Sequence, residues 1–157
     1  MRLRGLKEHP DAFFIVGDDV SQAKERRAGQ LSFVECVSVL NTQPQDLGHD
    51  RTIVFFNDSE RFDYRKPNEL VDLRSGVICS PNNFAYDEPL AEGVVRTTAL
   101  ANFDRWRALS AEAYQAAKDV WFTRIIESAA RHVGDFRSRI VATDMFTPLT
   151  IKRFTGH

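Results

Sequence analysis

Leu31-Ser-Phe-Val-Glu-Cys-Val-Ser-Val-Leu40 is the clearest strand in the chain. It is rich in β-branched residues, with Gly29 before it and Asn41-Thr-Gln-Pro44 after it as breakers. Side chains alternate across a strand, so Leu31, Phe33, Val37 and Val39 form one apolar row. Glu35 falls in that same row. A carboxylate among apolar neighbours is costly unless partnered. Glu35 is therefore either ion-paired with an arginine or near a sheet edge, the commoner structural case, or it is an acid in a pocket.

Four further strands follow. Arg51-Thr-Ile-Val-Phe-Phe-Asn57 is reached through a loop containing Pro44 and Gly48, whose length fits an antiparallel return. Residues 58–76 are dense in charge, and Pro67-Asn-Glu-Leu-Val-Asp72 has room for one helical turn. Gly76-Val-Ile-Cys-Ser80 reads as a short strand stopped by Pro81-Asn-Asn. Gly93-Val-Val-Arg-Thr-Thr-Ala-Leu-Ala101 is the fourth strand, and Arg139-Ile-Val-Ala-Thr-Asp-Met145 the fifth. Ahead of residue 31, residues 1–12 read as an irregular lead-in. Ala12-Phe-Phe-Ile-Val16 is a short apolar run ended by Gly17-Asp-Asp, and residues 21–28 make a short helix closed by Gly29.

The longest helix is expected over residues 111–133, with Ser110 as N-cap, Glu112 in the first turn and Gly134 just past the end. Tyr114, Ala117, Trp121, Ile125, Ser128 and Ala129 trace its apolar face, which Val120, Phe122 and Ile126 widen. Such a stripe reads as core. His132 in the last turn reads as a surface residue favoured by the helix dipole.

Composition narrows the class. The chain has 157 residues, 43% hydrophobic and 27% charged, which suits one globular domain with a real core. Its net charge of -1 offers no basic surplus for nucleic acid. Cys36 and Cys79 lie in apolar runs without a C-x-x-C pair, and read as buried thiols. His9, His49, His132 and His157 are scattered, so no metal site is expected. The start lacks an apolar leader core, and nowhere do eighteen apolar residues run together. The expected setting is cytoplasmic, compatible with peripheral membrane contact.

The last stretch, Asp144-Met-Phe-Thr-Pro-Leu-Thr-Ile-Lys-Arg-Phe-Thr-Gly-His157, opens a helix at Thr147-Pro148. Thr147, Thr150 and Phe154 share one face, Lys152 and Arg153 lie towards the C-terminal end, and Gly156 is placed to end the turn. Residues 147–156 resemble the C-terminal signature of the phytoene desaturase-like FAD-dependent oxidoreductases, which include carotenoid desaturases, carotenoid isomerases and retinol saturases. There the pattern Thr-Pro-x-Thr-x-x-Arg-aromatic-Thr continues into Gly-x-x-Tyr-Gly along the flavin, whereas this sequence stops at His157. Val77-Ile-Cys-Ser-Pro81, Pro89-Leu-Ala-Glu-Gly93 and residues 94–101 are similar to the same family by pattern. The likeness is looser over residues 31–146 than over the last ten positions.

The resemblance implies an α+β fold, a mainly antiparallel sheet packed with one long helix. It would be the substrate domain (1–145) of a two-domain flavoprotein, followed by the start of a return to the FAD domain (146–157). It implies FAD as cofactor, with Thr147, Pro148, Thr150, Arg153, Phe154 and Gly156 near the flavin. The implied partners are an apolar isoprenoid-like substrate and a missing FAD-binding domain or subunit. No Gly-rich pyrophosphate turn, Walker sequence or nucleophile motif occurs, so the chain alone is expected to be inactive and to retain no FAD. Catalytic residues stay unassigned. The competing reading is a stand-alone α+β ligand-binding or protein-interaction module.

Overall fold

The structure, a computed structural model, describes residues 31–155. The expectations for residues 1–30, Gly156 and His157 lie outside the described residues. Five strands form one antiparallel sheet: β1 (Ser32–Leu40), β2 (Ile53–Asn57), β3 (Val71–Cys79), β4 (Gly93–Ala101) and β5 (Ile140–Phe146). Three α-helices accompany them among the described residues, α1 (Phe103–Arg107) and α2 (Ala111–Val133) between β4 and β5, and α3 (Pro148–Thr155) after β5. The α+β class read from the sequence is the class observed.

The strand order is β2-β3-β4-β1-β5. β1 is an interior strand: β4, the middle strand, matches it along its whole length, from Ser32 opposite Ala101 to Leu40 opposite Gly93, while β5 takes its other edge. The loop after β1 does return the chain antiparallel to β1, as its length suggested, but sets β2 down three strands away instead of beside it. Both flanks of β1 are occupied, and β2 pairs with β3 at the far edge.

β3 also differs from expectation. It begins at Val71, and residues 67–72 form no helical turn. Asp72 and Arg74, the charges that argued against a strand, satisfy each other: the Asp72 carboxylate accepts from the Arg74 backbone N–H at 2.9 Å and from its guanidinium at 2.6 Å. Their pairing falls where the register jumps from Val71 opposite Ala101 to Gly76 opposite Ala99, so they occupy a bulge.

The core lies between one sheet face and α2. Val34, Cys36 and Leu40 of β1, Val95, Ala99 and Ala101 of β4 and Ile78 of β3 pack with Trp121, Ile125, Ile126, Ala129 and Val133. The even row of β1 is thus the core row, and the odd row lies on the opposite face. Both rows are apolar, so alternation alone could not choose between them. Burying one such Ile or Val contributes about 1.5–3 kcal/mol. Val120 is 55% exposed and does not widen the packed stripe. Ser110 caps α2 by accepting from the Ala113 N–H at 3.2 Å, and Gly134 follows with φ 84°. Trp106 of α1 is fully buried, its indole N–H donating to the Leu70 carbonyl at 3.0 Å. Among the described residues no helix is long and apolar enough to cross a membrane.

Candidate functional site

The register that fixes the core face also fixes the other one. Phe55, Val77, Thr98, Glu35 and Phe146 stand opposite one another in a single row across all five strands. Phe33 faces Leu100 beside them. Phe33 is 39% and Phe55 78% exposed, so this face carries aromatic side chains to solvent.

A cavity of about 440 Å³ opens here, walled by Phe33, Phe55, Phe62, Tyr64, Val77 and Leu100. Phe62 and Tyr64, from the charged loop between β2 and β3, stack at 5.9 Å and form one wall. The floor lies where β3 separates from β4 at the bulge. Gly76 is required there, because a Cβ would come within 2.8 Å of both the Phe56 ring and the Thr98 carbonyl oxygen. Leu100 is buried yet stands outside the main core cluster, walled in by this second apolar site. Among the described residues of the lining Tyr64 is the one ionisable side chain, and the walls are mainly apolar.

Glu35 does not line that cavity. It pairs with Arg96, the diagonal neighbour two residues from its Thr98 partner and on the same face, which realises the ion-paired alternative. Burial pushes the Cys36 thiol up to about 12 and also raises Cys79, so neither is poised as a nucleophile.

The second constellation is the start of α3. Thr147 is fully buried; its hydroxyl accepts from the Thr150 N–H at 3.4 Å and shares a hydrogen bond of 2.8 Å with the Tyr114 hydroxyl of α2. Thr150 joins them, its hydroxyl 3.4 Å from Tyr114, and Pro148 is buried in the first turn. Thr147 and Thr150 are therefore gathered around Tyr114, which the sequence offered only as a core-stripe residue. Arg153 and Phe154 are at the surface, Phe154 76% exposed, and Arg153 makes no ion pair among the described residues. Thr147 and Thr150 pack inward, whereas Phe154 on the same nominal face does not. Lys152 lies 5.2 Å from the Phe103 ring centre, a cation–π contact.

His132 is not a free surface residue. It stacks on Phe56 at 4.2 Å, and its Nε2 is 3.4 Å from Asp58, near enough to pair when protonated but without hydrogen-bond geometry. His49 is buried, and burial lowers its pKa. The two line a separate polar cleft of about 360 Å³ with Arg51.

Sequence reasoning missed the aromatic cavity because its walls come from four strands and a loop whose sequence reads only as charge. The available signal was the pair of Phe33 and Phe55 on the non-core rows. No protein-family model matches the chain, and no curated protein matches it in sequence.

Proposed function

We propose that the chain is the substrate-binding, C-terminal part of a phytoene desaturase-like FAD-dependent oxidoreductase acting on carbon–carbon bonds of an isoprenoid, carotenoid or similarly apolar substrate. The observation that carries this reading is the ten-residue stretch 147–156, the one segment specific enough to suggest a family. Its cap is built into the fold while Arg153 and Phe154 stay exposed, as suits a segment returning to a second domain. The aromatic cavity also suits the reading, because a site that leaves chemistry to a cofactor needs apolar walls rather than an acid–base pair.

On this reading FAD is bound chiefly by a domain supplying the pyrophosphate turn that these 157 residues lack. Thr147, Pro148, Thr150, Arg153, Phe154 and Gly156 lie near it, and Arg153 offers an exposed guanidinium to a phosphate or to a carboxylate of that domain. The setting is cytoplasmic, with peripheral contact to a membrane that holds the substrate. The cavity would equally serve a stand-alone ligand-binding module. The coding DNA on either side decides between them: a Gly-rich strand-to-helix turn upstream and Gly-x-x-Tyr-Gly downstream are expected. Absence of both overturns the flavoprotein reading, whereas stoichiometric FAD retained by the purified chain after desalting would overturn the assignment of FAD binding to a missing domain.

A further inference from the structure

β2 is an edge strand of the sheet and pairs only with β3 among the described residues. The Ser80 N–H donates to the Thr52 carbonyl and the Asp58 N–H to the Arg74 carbonyl, both in the β2–β3 register, so the even-numbered residues of this stretch turn their backbone groups to β3. Ile53, Phe55 and Asn57 therefore turn their N–H and C=O groups outward, to the open edge. Such edges are normally blunted by proline, lysine or a bulge. Ile53-Val-Phe-Phe-Asn57 has none of these: it carries no charge, and its pairing with β3 runs without a register shift. The opposite edge is better guarded, since β5 carries the exposed Asp144 and a shift in its pairing at Val39/Leu40.

The parity of these outward groups suits a second copy of the same strand. When two copies of β2 meet antiparallel about a two-fold axis normal to the sheet, opposite residues share a face, so an odd-numbered residue meets an odd-numbered one. Centred on Phe55, the pairing sets Phe55 opposite Phe55 and Ile53 opposite Asn57, and all three outward residues exchange hydrogen bonds with the second copy. Moving the centre to Val54 or Phe56 sets Asn57 or Ile53 opposite a residue outside β2. No like charges stand opposite each other: Thr52 faces Asp58, whose carboxylate already lies 3.6 Å from the Arg131 guanidinium. Phe55, 78% exposed, and Ile53, 45% exposed, supply apolar area to the contact. With the backbone of both edges, about 1,000 Å² is covered in total, the size class of weak reversible complexes rather than obligate dimers.

We infer that β2 is a homodimerisation edge, two copies pairing through residues 53–57 about Phe55 and continuing one sheet into the other. Because the axis is normal to the sheet, the two aromatic cavities open on the same side, with the two Phe55 rings side by side at the seam between them. Nothing in this pairing depends on a flavin domain.

Sedimentation equilibrium of the full chain should show a monomer–dimer equilibrium with a dissociation constant of about 1–100 μM. Phe55→Lys sets two ammonium groups opposite each other at an exposed position; it should raise that constant about tenfold or more and leave the circular dichroism spectrum unchanged. Val141→Lys on β5 should leave the constant unaltered. The register is read by cross-linking in a Cys79→Ser background, which removes the thiol opposite Ile53 on β3. Ile53→Cys mixed with Asn57→Cys should give a covalent dimer on mild oxidation, because opposite Cα atoms in such pairs lie about 5.5 Å apart. Neither variant should do so alone, its two thiols being offset by about 14 Å. A chain that stays monomeric at millimolar concentration would mean that the edge is covered otherwise, and would overturn the inference. So would a dimer that survives Phe55→Lys, open-ended growth that Val141→Lys abolishes, or cross-linking no stronger in the mixture than in either variant alone.

Discussion

The Tyr114 hydroxyl lies 2.8 Å from that of Thr147, joining the first turn of the long helix to the cap of the last one. Thr147 is fully buried, so its oxygen has no water to fall back on. Replacing Thr147 by Ala removes a helix cap and strands the tyrosine hydroxyl, an expected loss of about 2 kcal/mol. Tyr114→Phe should cost about 1 kcal/mol. Because the two residues share one bond, the double variant should cost less than the sum, with a coupling of roughly 0.5–1.5 kcal/mol in urea unfolding. Strict additivity would show that the two hydroxyls do not interact.

Asp72 makes the β3 bulge sensitive to acid. The hydrogen bond from the Arg74 side chain, aided by the Arg74 backbone N–H and against the pull of burial, holds the Asp72 carboxyl below its ordinary range. A carboxyl whose pKa is lower folded than unfolded contributes stability above its unfolded value, about 4, and loses it as pH falls through the folded value. Unfolding midpoints should therefore drop below pH of about 4, and Asp72→Asn should flatten that drop. An unchanged acid limb would remove the pair from the account.

Two glycines respond to a methyl group for different reasons. At Gly93 a Cβ would lie 1.9 Å from the Thr42 carbonyl oxygen, so Gly93→Ala must displace backbone where β4 meets β1. A loss of about 3 kcal/mol is expected. Gly48 has open space but φ 78°, so Gly48→Ala should cost only about 1–2 kcal/mol, the left-handed penalty. Thermal melts of the two variants should rank in that order; the reverse ranking would mean the 42–43 turn yields easily.

What the sequence made legible follows from how local each signal is. β4 and α2 match to the residue because Gly93, Ser110 and Gly134 are terminal signals carried by the segments themselves. The cap at Thr147-Pro148 was legible for the same reason. The choice of core face on β1 was not, since Phe33 and Val34 are equally apolar and only α2 decides which row is buried. The pairing of β2 with β3 could not be read because both edges of β1 are taken by β4 and β5, segments distant in sequence. Asp72 and Arg74 concealed the start of β3 because two charges two residues apart read as loop until their pairing is seen. The aromatic cavity has no local signature at all. It exists only once Phe33, Phe55 and Leu100, distant in sequence, stand side by side.

Phe55 separates binding from folding. It is 78% exposed, so truncating it removes little buried area, and Phe55→Ala should change stability by no more than about 0.5 kcal/mol. An apolar ligand seated in the cavity would cover the same ring and make its burial count at about 1.5 kcal/mol or more, which is roughly tenfold in affinity. The measurement is a titration with an isoprenoid alcohol followed by calorimetry, beside melting curves of the same preparations. Val141→Ala is the control, an exposed apolar residue on the opposite edge strand, 61% exposed and no part of the cavity lining. It should leave both quantities unchanged. If Phe55→Ala lowers stability as much as affinity, the ring belongs to the fold. If it alters neither, the ligand lies elsewhere, and the aromatic cavity loses its role as the binding surface.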